Sequence, residues 1–147
     1  MPAPVTRETE MTIAAITFAP LLDASPVIQV HAFAAMSALT LGLVQFAAPK
    51  GTLPHRTIGW IWVALMGTIA ISSFWIHSIR LVGPFSPIHL ISTFVLVMLP
   101  LAVLAAHRHD VSRHRGRMIG MFVGGLVIAG LFTFVPGRIM YTAATGH

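Results

Sequence analysis

The sequence predicts an all-α integral membrane protein whose four transmembrane helices form a bundle. Of the 147 residues, 56% are hydrophobic and 9% are charged, whereas soluble domains carry about 25% charged residues. The mean hydropathy is +0.84. The apolar residues also fall into four blocks long enough to cross the bilayer core, which takes about 20 residues. Lipid is therefore the solvent that this composition suits.

The four predicted spans share one feature, which is that none contains Asp, Glu, Lys or Arg. They are residues 27–48, 57–76, 86–106 and 118–137, within a transmembrane domain of residues 26–147. Short connections predict that neighbouring helices run antiparallel. Trp60 and Trp62 lie near one end of the second span and Trp75 near the other, so we expect aromatic belts at both membrane interfaces.

An N-terminal segment, residues 1–25, precedes the first span. Within it Thr12–Leu22 is apolar for 11 residues, which is too short to cross a bilayer. We interpret this stretch as an interfacial helix. A cleaved signal peptide is the alternative, although the preceding residues are not clearly basic.

The basic residues predict the orientation, because cytoplasmic loops retain Lys and Arg. The turns after spans one and three carry Lys50, Arg56, Arg108, Arg113, Arg115 and Arg117. The opposite side has Arg7, Arg80 and Arg138, offset by Glu8, Glu10 and Asp23. We therefore expect a multi-pass protein whose two termini both face outward, which in a bacterium means the periplasm. The formal net charge of +5 then reflects topology and contact with membrane lipids, and nucleic acid is not an expected partner.

The histidines are the candidate cofactor ligands, since the chain has eight of them and no cysteine. Imidazole is the natural bundle ligand for haem iron when cysteine is absent. His31 and His89 lie a turn inside spans one and three, which enter from the same side, and His55 and His114 lie at the opposite side. Hydrogen bonds to carbonyl groups or headgroups are the alternative role for each histidine. If a cofactor is present, we predict haem b held by His31 and His89.

The histidines also mark an internal repeat. Ser25-Pro26 precedes His31 and is followed by His55-Arg56, while Ser86-Pro87 precedes His89 and is followed by His114-Arg115. Each His-Arg pair opens the next span. The spacing indicates one helical hairpin used twice in the same orientation, with chance spacing of common residues as the alternative.

For function, the sequence contains none of the familiar phosphate-binding, hydrolase or metalloprotease motifs, which favours a protein that is not an enzyme. The first hypothesis is a non-catalytic accessory subunit of a larger respiratory or photosynthetic membrane complex. The alternative is a small b-type cytochrome that passes electrons to or from the quinone pool. Gly120 and Gly124 form a small-xxx-small ridge on the fourth span, which Gly125 and Gly130 extend. We expect this ridge to pack inside the bundle, with a dimer face as the alternative.

The histidine motifs resemble those of a bacterial membrane protein family catalogued as domain of unknown function 2306. The most specific part is His55-Arg56-Thr57-Ile58-Gly59-Trp60, accompanied by His31, His89 and His114-Arg115. The likeness covers residues 27–138. The run His114-Arg115-Gly116-Arg117 departs from the His-Arg-Arg-Trp-like run of the family. The resemblance implies four helices and a bacterial inner-membrane location. It also implies that His31, His55 and His114 occupy family positions, without implying their role.

Overall fold

The computed structural model describes residues 18–76 and 87–145. Within these residues it contains helices and no strand. Four helices are long and apolar enough to cross a membrane, and we refer to them as the first to fourth spans: Pro26–Ala47, Leu53–Trp75, Ile88–His107 and Val111–Phe134. The predicted all-α, four-helix membrane fold is confirmed.

The second and fourth spans begin earlier than the apolar blocks predicted. The second begins at Leu53, where the backbone N–H of His55 donates to Thr52 Oγ1 at 3.3 Å. The fourth begins at Val111, where the N–H of Arg113 donates to the Asp110 carboxylate at 3.1 Å. Side-chain caps of this kind satisfy N–H groups that a helix start leaves unpaired. The basic first turns are therefore helical, although hydropathy alone assigns them to loops.

The fourth span changes its winding along its length. An α-helical part, Val111–Gly120, is followed by a π-helical part, Met121–Ile128. Ala129–Leu131 returns to α-helix, and Phe132–Phe134 ends the span as a 3₁₀ turn. Wider π turns are rare and occur often at functional sites. The π-helical part lines the small internal cavity described below.

The core lies where the four spans meet. Small residues of the first span, including Ala34 and Ala38, pack against large residues of the others, including Trp62, Met66, Met121 and Phe122. Trp62 is 2% exposed, and its indole Nε1 donates to the Ala38 carbonyl at 2.9 Å. The interfacial position expected for Trp62 is therefore wrong. Trp60 and Trp75, by contrast, are 57% and 65% exposed.

Two short helices close the end of the bundle where the first span starts. Ala19–Leu22 packs against Ile139–Thr145, a helix that the sequence analysis did not identify, and Leu21 and Ala143 are buried there. The Gln29 amide donates to the Leu22 and Ala24 carbonyls at 2.7 and 2.9 Å. Of the predicted interfacial stretch Thr12–Leu22, only the residues from 18 onward are described.

Candidate functional site

Polar side chains gather at the two ends of the bundle. The serine–histidine end comprises His31, Ser72, Ser73, His89 and Ser92. The basic end comprises Lys50, His55, Arg56, Arg108, Arg113, His114, Arg115 and Arg117. His31 and His89 thus lie at one end, and the two His-Arg pairs open spans two and four at the other, which is the placement that the hairpin repeat predicts.

At the serine–histidine end, His31 is tied to the second span. Its Nδ1 lies 2.9 Å from Ser72 Oγ, and that hydroxyl also lies 3.1 Å from the Ile69 carbonyl. A carbonyl oxygen only accepts hydrogen bonds. When Ser72 donates to Ile69, its oxygen accepts from the Nδ1–H of His31, and the neutral ring keeps a lone pair on Nε2.

The second and third spans meet through a buried pair of hydroxyls, Ser73 and Ser92, whose Oγ atoms contact each other directly. Each also reaches its own helix, with Ser73 Oγ 2.7 Å from the Ala70 carbonyl and Ser92 Oγ 2.8 Å from the Ile88 carbonyl. Buried polar groups are costly unless they are hydrogen-bonded. These contacts allow two serines to lie in an otherwise apolar interior.

A cavity of about 30 Å³ lies beside these groups, lined by His31, Ser73 and Ser92 together with Met66 and Gly125. This volume is comparable to that of one water molecule, and it is about a tenth of the roughly 300 Å³ at which ligand pockets begin. His89 does not line the cavity. Its ring packs instead on Phe74, with ring centroids 5.4 Å apart. Haem ligation by His31 and His89 remains a prediction, and this close packing does not favour it.

At the basic end, His55 is held in one tautomer by Gln45. The Gln45 amide nitrogen donates to the His55 carbonyl at 2.8 Å, so its Oε1 is the atom that lies 3.0 Å from His55 Nδ1. Because an amide oxygen only accepts, Nδ1 carries the hydrogen and the neutral ring keeps a lone pair on Nε2.

His114 has the same arrangement, since its Nδ1 lies 3.0 Å from the Ala102 carbonyl. This imidazole lies close enough to His55 for the two to interact electrostatically. Histidines that bind metals commonly donate their second nitrogen to an oxygen in this way. Among the described residues, however, no group of three or more His, Cys, Asp or Glu side chains could hold a metal ion.

Two cations of the basic end donate hydrogen bonds to backbone carbonyls. Lys50 Nζ donates to three carbonyls at the end of the first span, those of Gln45, Phe46 and Ala48, at 2.6, 2.8 and 2.8 Å. Arg117 donates to the Leu101 carbonyl of the third span at 2.6 Å. The last carbonyls of a helix have no partner within the helix, so Lys50 caps the first span, while Arg117 links the fourth span to the third.

The remaining cations of this end divide into paired and unpaired. Arg113 forms an ion pair with Asp110, with Nε and Oδ2 3.4 Å apart. Within the described part of the chain, no side-chain hydrogen bond or ion pair is found for three exposed arginines, Arg56, Arg108 and Arg115. Of the six basic residues that predict the orientation, three bond other groups of the protein. The other three are available to bind an external anion.

The glycines of the fourth span lie on two different faces of the helix. A Cβ placed on Gly116, Gly120 or Gly124 would meet no atom of a neighbouring helix within 4 Å. A Cβ on Gly125 would lie 3.0 Å from Val95 Cγ2 and 3.3 Å from Met66 Cε. The expectation that the Gly120–Gly124 ridge packs inside the bundle is wrong, because Gly125 occupies the inward position.

Several residues of these sites were not predicted as partners of the histidines. Three of these residues are Ser72, Ser73 and Ser92. Ser92 follows His89 by three residues, so the pair shares a helix face, and that spacing was the available signal. Gln45 was likewise not identified as the partner of His55. Its place in the same hairpin as His55, across the short turn, was the clue.

Together the four spans, their short connections and the polar groups at both ends define a small multi-pass membrane bundle. In comparison with known protein families, the family described as "Predicted membrane protein (DUF2306)" matches residues 28–143. The chain belongs to this family, as the histidine motifs indicated. No curated protein and no solved structure matches the chain.

Proposed function

We propose that this protein is a non-catalytic accessory subunit that packs against transmembrane helices of a larger respiratory or photosynthetic complex. The observation that carries the proposal is the ridge of Gly116, Gly120 and Gly124 on the outer face of the fourth span, which has open space beside it. Small residues at this spacing let two helix backbones approach closely. A surface that faces only lipid has no need of such a ridge.

The second span offers a similar surface on another side of the bundle. Ala64 and Thr68 are exposed, Ser72 continues their spacing, and Gly67 between them has no neighbour within 4 Å of a Cβ. Beside them an apolar groove of about 490 Å³ is lined by Val27, Val30, Thr68, Ile71 and Trp75, among others. A groove of this size accommodates large side chains from a partner helix. Two such surfaces suit a subunit that is embedded in an assembly.

The test is replacement of both outer glycines, Gly120→Leu with Gly124→Leu. The open space beside them predicts that the bundle folds as before, while the leucines keep a partner backbone from approaching. We expect the wild-type chain, tagged at its natural level and solubilised in mild detergent, to migrate on native gels with a respiratory or photosynthetic complex. The double variant should migrate alone.

The matched control is Val123→Leu with Ile128→Leu, which adds or rearranges apolar bulk at two exposed positions of the same span and should leave the association intact. Wild-type protein that isolates as a free monomer or homodimer would contradict the proposal. Association that survives in the glycine variant would contradict the role of the ridge. Unchanged thermal unfolding of both variants in detergent would show that the bundle itself is intact.

The basic end supports our further proposal that the chain lies in a bacterial inner membrane with this end in the cytoplasm and both termini in the periplasm. Among the described residues, the two connections at this end and the starts of the helices that follow them carry all the Lys and Arg side chains except Arg138. Short loops rich in Lys and Arg remain cytoplasmic. A topology reporter fused after Pro49 should read cytoplasmic, and a periplasmic signal would reverse the assignment.

A b-type haem protein linked to the quinone pool is the second candidate function. The observation in its favour is at the basic end, where His55 and His114 both donate Nδ1–H to an oxygen and keep an Nε2 lone pair. Bound haem would supply one-electron transfer, and these two rings would be its ligands. At the serine–histidine end, the cavity beside His31 has room for about one water molecule.

The absorption spectrum of the purified protein, with and without dithionite, tests this candidate. A haem protein expressed with sufficient haem should show a Soret band and sharpened bands on reduction. The band should disappear when His55 and His114 are both replaced by alanine. Persistence in that variant and disappearance in His31→Ala with His89→Ala would instead assign haem to the other end, and the absence of any band would exclude this function.

A further inference from the structure

Some positive charges of the basic end form no ion pair or side-chain hydrogen bond within the described part of the chain. Lys50 and Arg117 are occupied by carbonyl groups, and Arg113 by Asp110. Arg56 and Arg115 have no such partner among the described residues, and both side chains are exposed. A guanidinium group that is neither a helix cap nor part of an ion pair is free to bind an anion.

The two free arginines lie beside exposed apolar side chains. Arg56 is in the first turn of the second span beside Leu53, which is 76% exposed, and Arg115 is in the fourth span one turn after Val111, which is 72% exposed. Apolar side chains that project at this level belong against lipid. The exposed Trp60 lies one turn further along the second span, and tryptophan is enriched at the level of lipid headgroups.

We propose that Arg56 and Arg115 each bind the phosphate of an anionic phospholipid, with phosphatidylglycerol as the representative lipid. Guanidinium groups bind phosphate with two parallel hydrogen bonds, and basic pockets between transmembrane helices on the cytoplasmic side bind anionic lipids. The positive charge of the basic end favours an anionic lipid, because Asp110, the acidic residue described at this end, is already paired with Arg113.

The histidine before each arginine positions its site. His55 is tied to Gln45 of the first span, and His114 to the Ala102 carbonyl of the third span. Each His-Arg pair therefore has an inward residue that fastens two spans and an outward residue that faces lipid. Two sites in equivalent positions follow from the repeated hairpin. Arg108 lies beyond the end of the third span, at His107, so we assign it to solvent.

The experiment measures how well phosphatidylglycerol competes with phosphatidylcholine for the surface near Trp60. The protein carries Trp75→Phe, which leaves Trp60 as the exposed tryptophan while Trp62 remains buried. It is reconstituted in phosphatidylcholine vesicles containing brominated phosphatidylglycerol, whose bromines quench nearby indole fluorescence. The reference is brominated phosphatidylcholine at the same fraction.

We expect the anionic lipid to bind about fivefold more tightly for each arginine that it contacts, from the usual attraction between a basic side chain and an anionic lipid surface. Replacement of both, Arg56→Gln with Arg115→Gln, should bring the two lipids close to equal binding. Rising salt should also reduce the preference of the parent protein for the anionic lipid, because screening weakens exposed charge interactions.

The control variant, Arg113→Gln with Arg138→Gln, also removes two positive charges, one paired and one at the opposite end of the bundle. It should retain most of the preference. Equal quenching by both lipids in the parent protein would overturn the proposal, and so would an equal loss in the control. Soluble glycerol phosphate should not compete at millimolar concentration, and efficient competition would assign a free-phosphate site instead of a lipid site.

Discussion

Replacing Gly42 with alanine should lower the stability of the bundle by about 1–3 kcal/mol, the usual cost of forcing extra volume into a packed core. A Cβ at Gly42 would overlap the ring of Phe122 and lie 3.2 Å from Trp62 Nε1. Phe122 also packs edge-on against Phe46, with centroids 4.9 Å apart, so its ring has little room to move. The first and fourth spans would have to separate.

Thermal unfolding in detergent, followed by circular dichroism, measures this effect. Gly67→Ala is the matched control, since it makes the same change in another span where a Cβ meets no atom within 4 Å. It should raise stability by up to about 1 kcal/mol, because alanine is the better helix former. Equal effects at Gly42 and Gly67 would show that helix propensity, and not packing between spans, determines the result.

Trp62→Ala should have the largest effect of any single change, a loss of about 3 kcal/mol, the low end for removing a buried tryptophan. In a membrane the hydrophobic term contributes little to the association of helices, so packing and hydrogen bonding carry the cost. Trp62 has its ring in the core and donates to the Ala38 carbonyl. Its loss leaves both a void and an acceptor without its partner.

Trp60→Ala is the natural control, two residues away in the same helix. Trp60 is mostly exposed, with its ring centroid 6.4 Å from that of His107, so its removal should change stability by less than about 0.5 kcal/mol. Trp62→Phe separates the two contributions, because it keeps most of the ring volume and loses the hydrogen bond. If the two alanine variants unfold alike, the buried position of Trp62 is not important for stability.

Two of the inferences depend on which way a residue faces. Trp62 and the glycines Gly120 and Gly124 each belong to a stretch of helix whose sequence is apolar on every side. In a soluble helix, polarity distinguishes the inner from the outer face. In a membrane both faces are apolar, and that signal disappears. Only the structure therefore shows which of these residues face the core and which face outward.

From the sequence alone came the number of spans, their approximate bounds and the family, because crossing a bilayer requires about 20 apolar residues in a row and His55-Arg56 is a recognisable opening of the second span. The tertiary structure decided which residues meet. Gly125 and Trp62 face the core while Gly120 and Trp60 face outward. The reason is physical, since lipid and a packed interior accept the same apolar side chains and only packing between helices distinguishes them.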